Sequence, residues 1–122
     1  MADAESRDYV GIMDLPYEQR GAVYAVGMWS GTWPFGKIRV TAGGLGIGVP
    51  GTPRMFGENW VETAWSGVRR IEFRRRRFLI LAPRLRFYLA RRMPPYIDFL
   101  TSDFAFVLRA LDAAGVSVQR ES

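Results

Sequence analysis

A β-rich α+β domain, about seven antiparallel strands followed by one C-terminal helix, is what this 122-residue chain predicts. Three observations predict it. Short apolar runs with a period of two recur between residues 35 and 100, separated by glycine, proline or charge. A single segment with helical period follows, at Phe104, Val107, Leu108 and Leu111. Glycines and prolines punctuate most changes of direction. Strands first and one helix last give a bent sheet or sandwich whose open end the helix caps.

Residues 1–20 are polar and acidic, with Gly11 and Pro16 as breakers, and read as a flexible acidic N-terminal segment. The domain is expected over residues 21–122. Gly21 to Trp33 holds β-forming Val23, Tyr24, Val26, Trp29 and Trp33, and Pro34 interrupts it. Phe35 to Thr41 alternates, with Ile38 and Val40 on one face and Lys37, Arg39 and Thr41 on the other. Gly43-Gly44 turns the chain, and Leu45, Ile47 and Val49 alternate back with Gly46 and Gly48. That glycine face marks a bend, or a place where a backbone or a bulky ring sits close. Met55 to Val61 is less regular, and Trp65 to Phe73 recovers alternation, with Ile71 and Phe73 inward and Arg70, Glu72 and Arg74 outward. Phe78 to Leu81 reads as a buried strand after an arginine turn. Arg84 to Leu89 puts Leu85, Phe87 and Leu89 inside, and Tyr96 to Leu100 is the last strand. The helix is expected from near Ser102 to Ala114, capped by Thr101 or Ser102, with Leu108 and Leu111 nearly buried. Gly115 suits a left-handed C′ position, with Val116 packing on Leu111 in a Schellman ending. Phe106 falls off the apolar stripe and is expected to face outward. Trp29, Trp33, Trp60 and Trp65 are expected in the core or at its rim.

Composition narrows the chemistry. The chain contains no cysteine and no histidine, which removes thiolate metal sites, Cys nucleophiles and imidazole-dependent triads from these residues. No enzyme, cofactor or metal is expected. Gly31 to Ile38 nearly spells a phosphate-binding loop, but Ile38 stands where the magnesium-holding Ser or Thr belongs and a strand follows. Gly44-Leu45-Gly46-Ile47-Gly48 has the wrong spacing for a dinucleotide site. Glu58 and Glu62 flank Trp60, and solvated acids, or partners for the nearby arginines, account for them better than a catalytic pair. The N-terminus has no apolar stretch of signal-peptide length, and Ala22 to Trp29 is too short to span a bilayer. A soluble cytoplasmic protein is expected.

Charge is concentrated. The chain carries +5 overall, and only Lys37 among its basic residues is a lysine. Between Arg69 and Arg92 lie ten arginines and one acid, Glu72. Arg74, Arg75, Arg76, Arg77, Arg84, Arg86, Arg91 and Arg92 are the candidate binding residues, gathered on one face if the hairpins lie side by side. Arginine's planar fork pairs bidentately with carboxylate or phosphate and stays charged at any working pH. Tyr88 is the ring best placed beside them to stack on a base. A solvated turn is the plain alternative for Arg74–Arg77.

Trp33-Pro34-Phe35, the hairpin Ile38 to Leu45, the segment Trp65-Ser66-Gly67-Val68-Arg69-Arg70-Ile71, and the ending from Ile97 through Leu108, Leu111 and Gly115 together resemble the pleckstrin-homology-like superfold in its bacterial small-domain form. The resemblance spans residues 22–118. It implies a non-catalytic binding or scaffold module whose partner is another protein or a second copy of the chain. Anionic membrane or nucleic acid, met by the arginines, is the alternative. It assigns no residue-level lipid site.

Overall fold

The structure is a computed structural model that describes residues 14–26, 29–50, 59–74, 83–90 and 94–120. Eight strands form one sheet: β1 (Tyr17–Ala25), β2 (Trp29–Val40), β3 (Gly44–Gly48), β4 (Trp60–Ala64), β5 (Val68–Arg74), β6 (Arg84–Leu89), β7 (Tyr96–Leu100) and β8 (Gln119–Arg120). A short 3-10 turn, Trp65–Gly67, links β4 to β5, and the helix α1 (Ala105–Ala113) follows β7. The order across the sheet is β4-β3-β2-β1-β7-β6-β5-β8. β1 sits at the middle, antiparallel to both β2 and β7. The chain thus lays down β1 to β4 outward in one direction, then β5 to β7 back toward β1.

Alternation decides which side chains face the core. Leu85, Phe87 and Leu89 on β6 are buried, while Arg84, Arg86 and Tyr88 between them are not. Ile38 and Val40 on β2, Leu45 and Ile47 on β3, and Ile97 and Phe99 on β7 complete the same interior. Val107, Ala110 and Leu111 of α1 are fully buried against this cluster. Leu108 and Phe104 only flank it, so the buried helix stripe is narrower than the sequence period implies. The C-terminal ending follows the expected pattern: Gly115 has φ +81, the Val116 N–H donates to the Leu111 carbonyl at 3.0 Å, and the Gly115 N–H donates to the Asp112 carbonyl at 2.9 Å.

Several expectations need correction. β1 begins at Tyr17, and Leu15 and Tyr17 pack on the core, so the first strand starts upstream of residue 21. β2 runs through Pro34 instead of ending there. Register explains how: Gly21 pairs with Gly36 and Val23 with Gly31, so Thr32 to Phe35 stand opposite Ala22 alone and bulge from the ladder. The helix starts at Ala105, later than expected, and neither Thr101 nor Ser102 caps it. The Asp103 carboxylate instead accepts the Ala105 N–H at 3.0 Å. Trp33 is 66% exposed and lies on the bulge, not in the core. β8 pairs in parallel with β5 at Glu72 and Phe73, the one parallel contact among the described strands. The expected strand at Phe78–Leu81 and the residue Glu58 lie outside the described residues.

The glycine face of β3 is covered by a ring. A methyl at Gly46 would sit 2.6 Å from Cζ2 of Trp60, so the indole lies against bare backbone. Gly43, in the preceding turn, has nothing within 4 Å of that position. Gly46→Ala is therefore expected to cost about 1–3 kcal/mol through displacement of Trp60, and Gly43→Ala close to nothing. Urea unfolding of the two variants checks the contrast.

Candidate functional site

The outer face of β5, β6 and β7 gathers four of the described arginines, Arg70, Arg74, Arg84 and Arg86. Strand alternation points Arg70, Glu72 and Arg74 of β5, Arg84, Arg86 and Tyr88 of β6, and Tyr96 and Asp98 of β7 away from the core. Register then aligns them. Glu72 pairs with Arg86, Arg86 with Asp98, and Asp98 with Tyr24 of β1, making one row across four strands. Arg70, Tyr88 and Tyr96 make the next row.

Each carboxylate on this face is shared by two arginines. The Arg86 guanidinium donates to Asp98 in a fork, Nε to Oδ1 at 2.8 Å and Nη2 to Oδ2 at 3.0 Å. Arg84 donates to the same Oδ2 at 3.1 Å. Asp98 has no solvent exposure at all, although it lies on the outer side of the sheet, because these side chains cover it. Glu72 is bridged by Arg74 at 3.0 Å and by Arg70 at 3.3 Å, and it accepts the Tyr88 hydroxyl at 3.2 Å. Tyrosine rings fill the gaps: Arg70 lies 4.3 Å over Tyr88 and Arg86 3.9 Å over Tyr96. The two rings are 5.9 Å apart.

The electrostatics follow from this sharing. The hydrogen bonds to Asp98 hold Arg86 charged more firmly than an ordinary arginine, against the cost of its burial. Burial raises the Glu72 carboxyl, yet the bonds from Arg74 and Tyr88 and the charges of Arg70 and Arg74 outweigh it, and it stays below the usual carboxylate range. Four arginines against two acids leave the described part of this face positive. The outer face of β1 to β4 differs. There Glu18 receives Lys37 at 2.9 Å and Arg39 at 3.4 Å, Arg39 reaches Glu62 at 3.9 Å, and Arg20 pairs across from Lys37 and acts on Glu18, three cations to two acids.

Of the eight candidate arginines, Arg74, Arg84 and Arg86 lie together on the positive face. Arg75, Arg76, Arg77, Arg91 and Arg92 lie outside the described residues. Arg84 and Arg86 are about one-fifth exposed and committed to Asp98, whereas Arg74 and Arg70 are 38% and 45% exposed. Arg70, outside the eight candidates, joins them on this face, as its outward placement in the sequence pattern implies. Tyr88 is not a free stacking ring, since Arg70 covers it. Asp98 was missed altogether. Its signal was the spacing of Tyr96 and Asp98 against Arg84 and Arg86, which becomes a contact only once the two strands are paired. Among the described residues no group of acidic side chains could hold a metal ion, and no helix is long and apolar enough to cross a membrane.

No family model matches the sequence, and no curated protein matches it. Among solved structures, a chain of the Spt16D Pob3N heterodimer superposes with a TM-score of 0.54 at 13% identity. The match covers 89% of this chain and 56% of that one, so the present chain spans little more than half of its length. At this identity the likeness shows the fold alone, and the fold is pleckstrin-homology-like.

Proposed function

We propose that this domain is a non-catalytic binding module that presents the outer face of β5, β6 and β7 to an acidic protein partner. The observation that carries the reading is the two-to-one sharing of carboxylates by arginines on that face, four guanidiniums to two acids, against three cations to two acids on β1 to β4. Arg84 and Arg86 are the fixed base of the site. Arg70 and Arg74, sharing one acid and open to water, are the groups that reach a partner's carboxylates. In sequence, Arg75, Arg76 and Arg77 follow Arg74, and Arg91 and Arg92 follow β6. A pleckstrin-homology-like fold suits a module that binds or scaffolds. A second copy of the chain is the other protein partner in this reading, and the setting is cytoplasmic.

The test is binding of poly-L-glutamate over a range of salt concentrations. Wild type should bind at low salt and lose affinity as salt screens the contacts. Replacing Arg74, Arg75 and Arg76 with Ser should weaken binding several-fold and flatten the salt dependence. The unfolding midpoint should hardly move, because exposed ion pairs contribute about 0–1 kcal/mol. An unbound wild type at low salt, or a variant that binds as tightly, contradicts the reading. Single-stranded DNA and phosphatidylserine vesicles are assayed in parallel, and tighter binding to either transfers the face to nucleic acid or membrane.

A further inference from the structure

Trp33 and Phe35 are the most exposed large apolar side chains among the described residues, at 66% and 64%. Register puts them there, since the four residues from Thr32 to Phe35 stand opposite the single residue Ala22 and the surplus backbone must bow out of the ladder. Arg20 ties the bow down by donating to the Pro34 carbonyl at 3.3 Å. Beside it is a cleft of about 300 Å³ lined by Ala22, Trp33, Leu100, Thr101 and Ser102. None of these residues carries a charge.

We propose that the bulge and the cleft are the two halves of a homodimer contact, with Phe35 of one copy seated in the cleft of the other, against the Trp33 that lines it. This deepens the self-association part of the functional reading, and it is independent of the arginine face. An apolar cavity of roughly 150 Å³ holds a benzene molecule, so a cleft of this size admits one aromatic ring. The occupant must be apolar and need bring no countercharge, which is the chemistry of the bulge itself. Knob and socket lie side by side on one chain. A two-fold axis can therefore satisfy both at once, as an isologous contact requires. The area sets the strength. The exposed parts of the two rings offer roughly 250 Å² per copy, against the roughly 800 Å² per partner of a stable complex, so the dimer is weak and concentration-dependent. Salt gives it a signature. The net positive faces of two copies repel one another, and screening that repulsion tightens the dimer. The acidic-partner contact responds to salt in the opposite sense.

Sedimentation equilibrium of the full chain from about 10 μM to about 1 mM tests this. Wild type should dimerise with a dissociation constant on the order of 100 μM, tightening as salt rises. Phe35→Ser removes a knob, and Ser102→Arg puts a charge at the exposed rim of the socket. Each should weaken the dimer by about tenfold or more. A mixture of the two variants should recover part of the association, because one intact knob then meets one intact socket. Poly-L-glutamate binding should be unchanged in Phe35→Ser, which separates failure of this contact from failure of the arginine face. A wild type that stays monomeric at about 1 mM, or a dimer that both variants leave intact, overturns the proposal. So does insertion of Trp33 and Phe35 into vesicles by a monomeric protein.

Discussion

Asp98→Ala is expected to destabilise the domain by about 3 kcal/mol, near the lower end of the range for removing one partner from a buried ion pair. Asp98 is fully buried and accepts three hydrogen bonds, two from Arg86 and one from Arg84. Without it, two adjacent guanidinium groups lose their shared counterion and repel each other. The cost stays toward the lower figure because both arginines keep partial access to water, at 21% and 17% exposure, and can turn toward it. Denaturant unfolding reads the loss. Asp98→Asn keeps the shape and removes the charge. It should also destabilise, while poly-L-glutamate binding grows tighter because the face gains one positive charge. A purely structural role for the arginines would give the loss of stability without the gain in binding.

Leu111→Ala is expected to cost about 3 kcal/mol, from lost burial plus the cavity left beneath the helix. Leu111 is fully buried on α1, which covers the sheet interior together with Val107 and Ala110. Its backbone is a fixed point as well, since its carbonyl accepts the Val116 N–H that closes the helix ending. That bond survives the substitution, so the measured loss reports packing. Leu108→Ala should cost clearly less, because Leu108 lies at the margin of the core. The same denaturant series separates the two positions. Equal losses would mean the helix sits rotated from the orientation described.

The parts legible in the sequence are those where one face of an element meets the core and the other meets water. Arg84 to Leu89 is such a strand, and every inward and outward assignment along it follows from alternation. Gly44 to Gly48 was readable because glycine on one face needs a reason, and Trp60 supplies it. Strands β4 and β8 were not readable. β4 is five residues with a single buried side chain, Val61, and β8 is two exposed residues paired with the end of β5. The bulge was hidden because it depends on the difference in length between β1 and β2, which no local pattern records. The site divides in the same way. The outward arginines of β5 and β6 came from alternation, and the carboxylates that share them came only from register across strands.

On our proposal, the arginine-rich outer face of β5, β6 and β7 meets an acidic partner. An NMR titration of the labelled domain with poly-L-glutamate at low salt tests it most directly, read at backbone amides and arginine side-chain Nε–H groups. Saturable shifts are expected at Arg70, Arg74, Arg84 and Arg86, fading as salt is raised, with the β1 to β4 ladder around Lys37 and Arg39 left nearly still. Shifts centred on Lys37 and Arg39, or no shift on the β5 to β7 face, would contradict it.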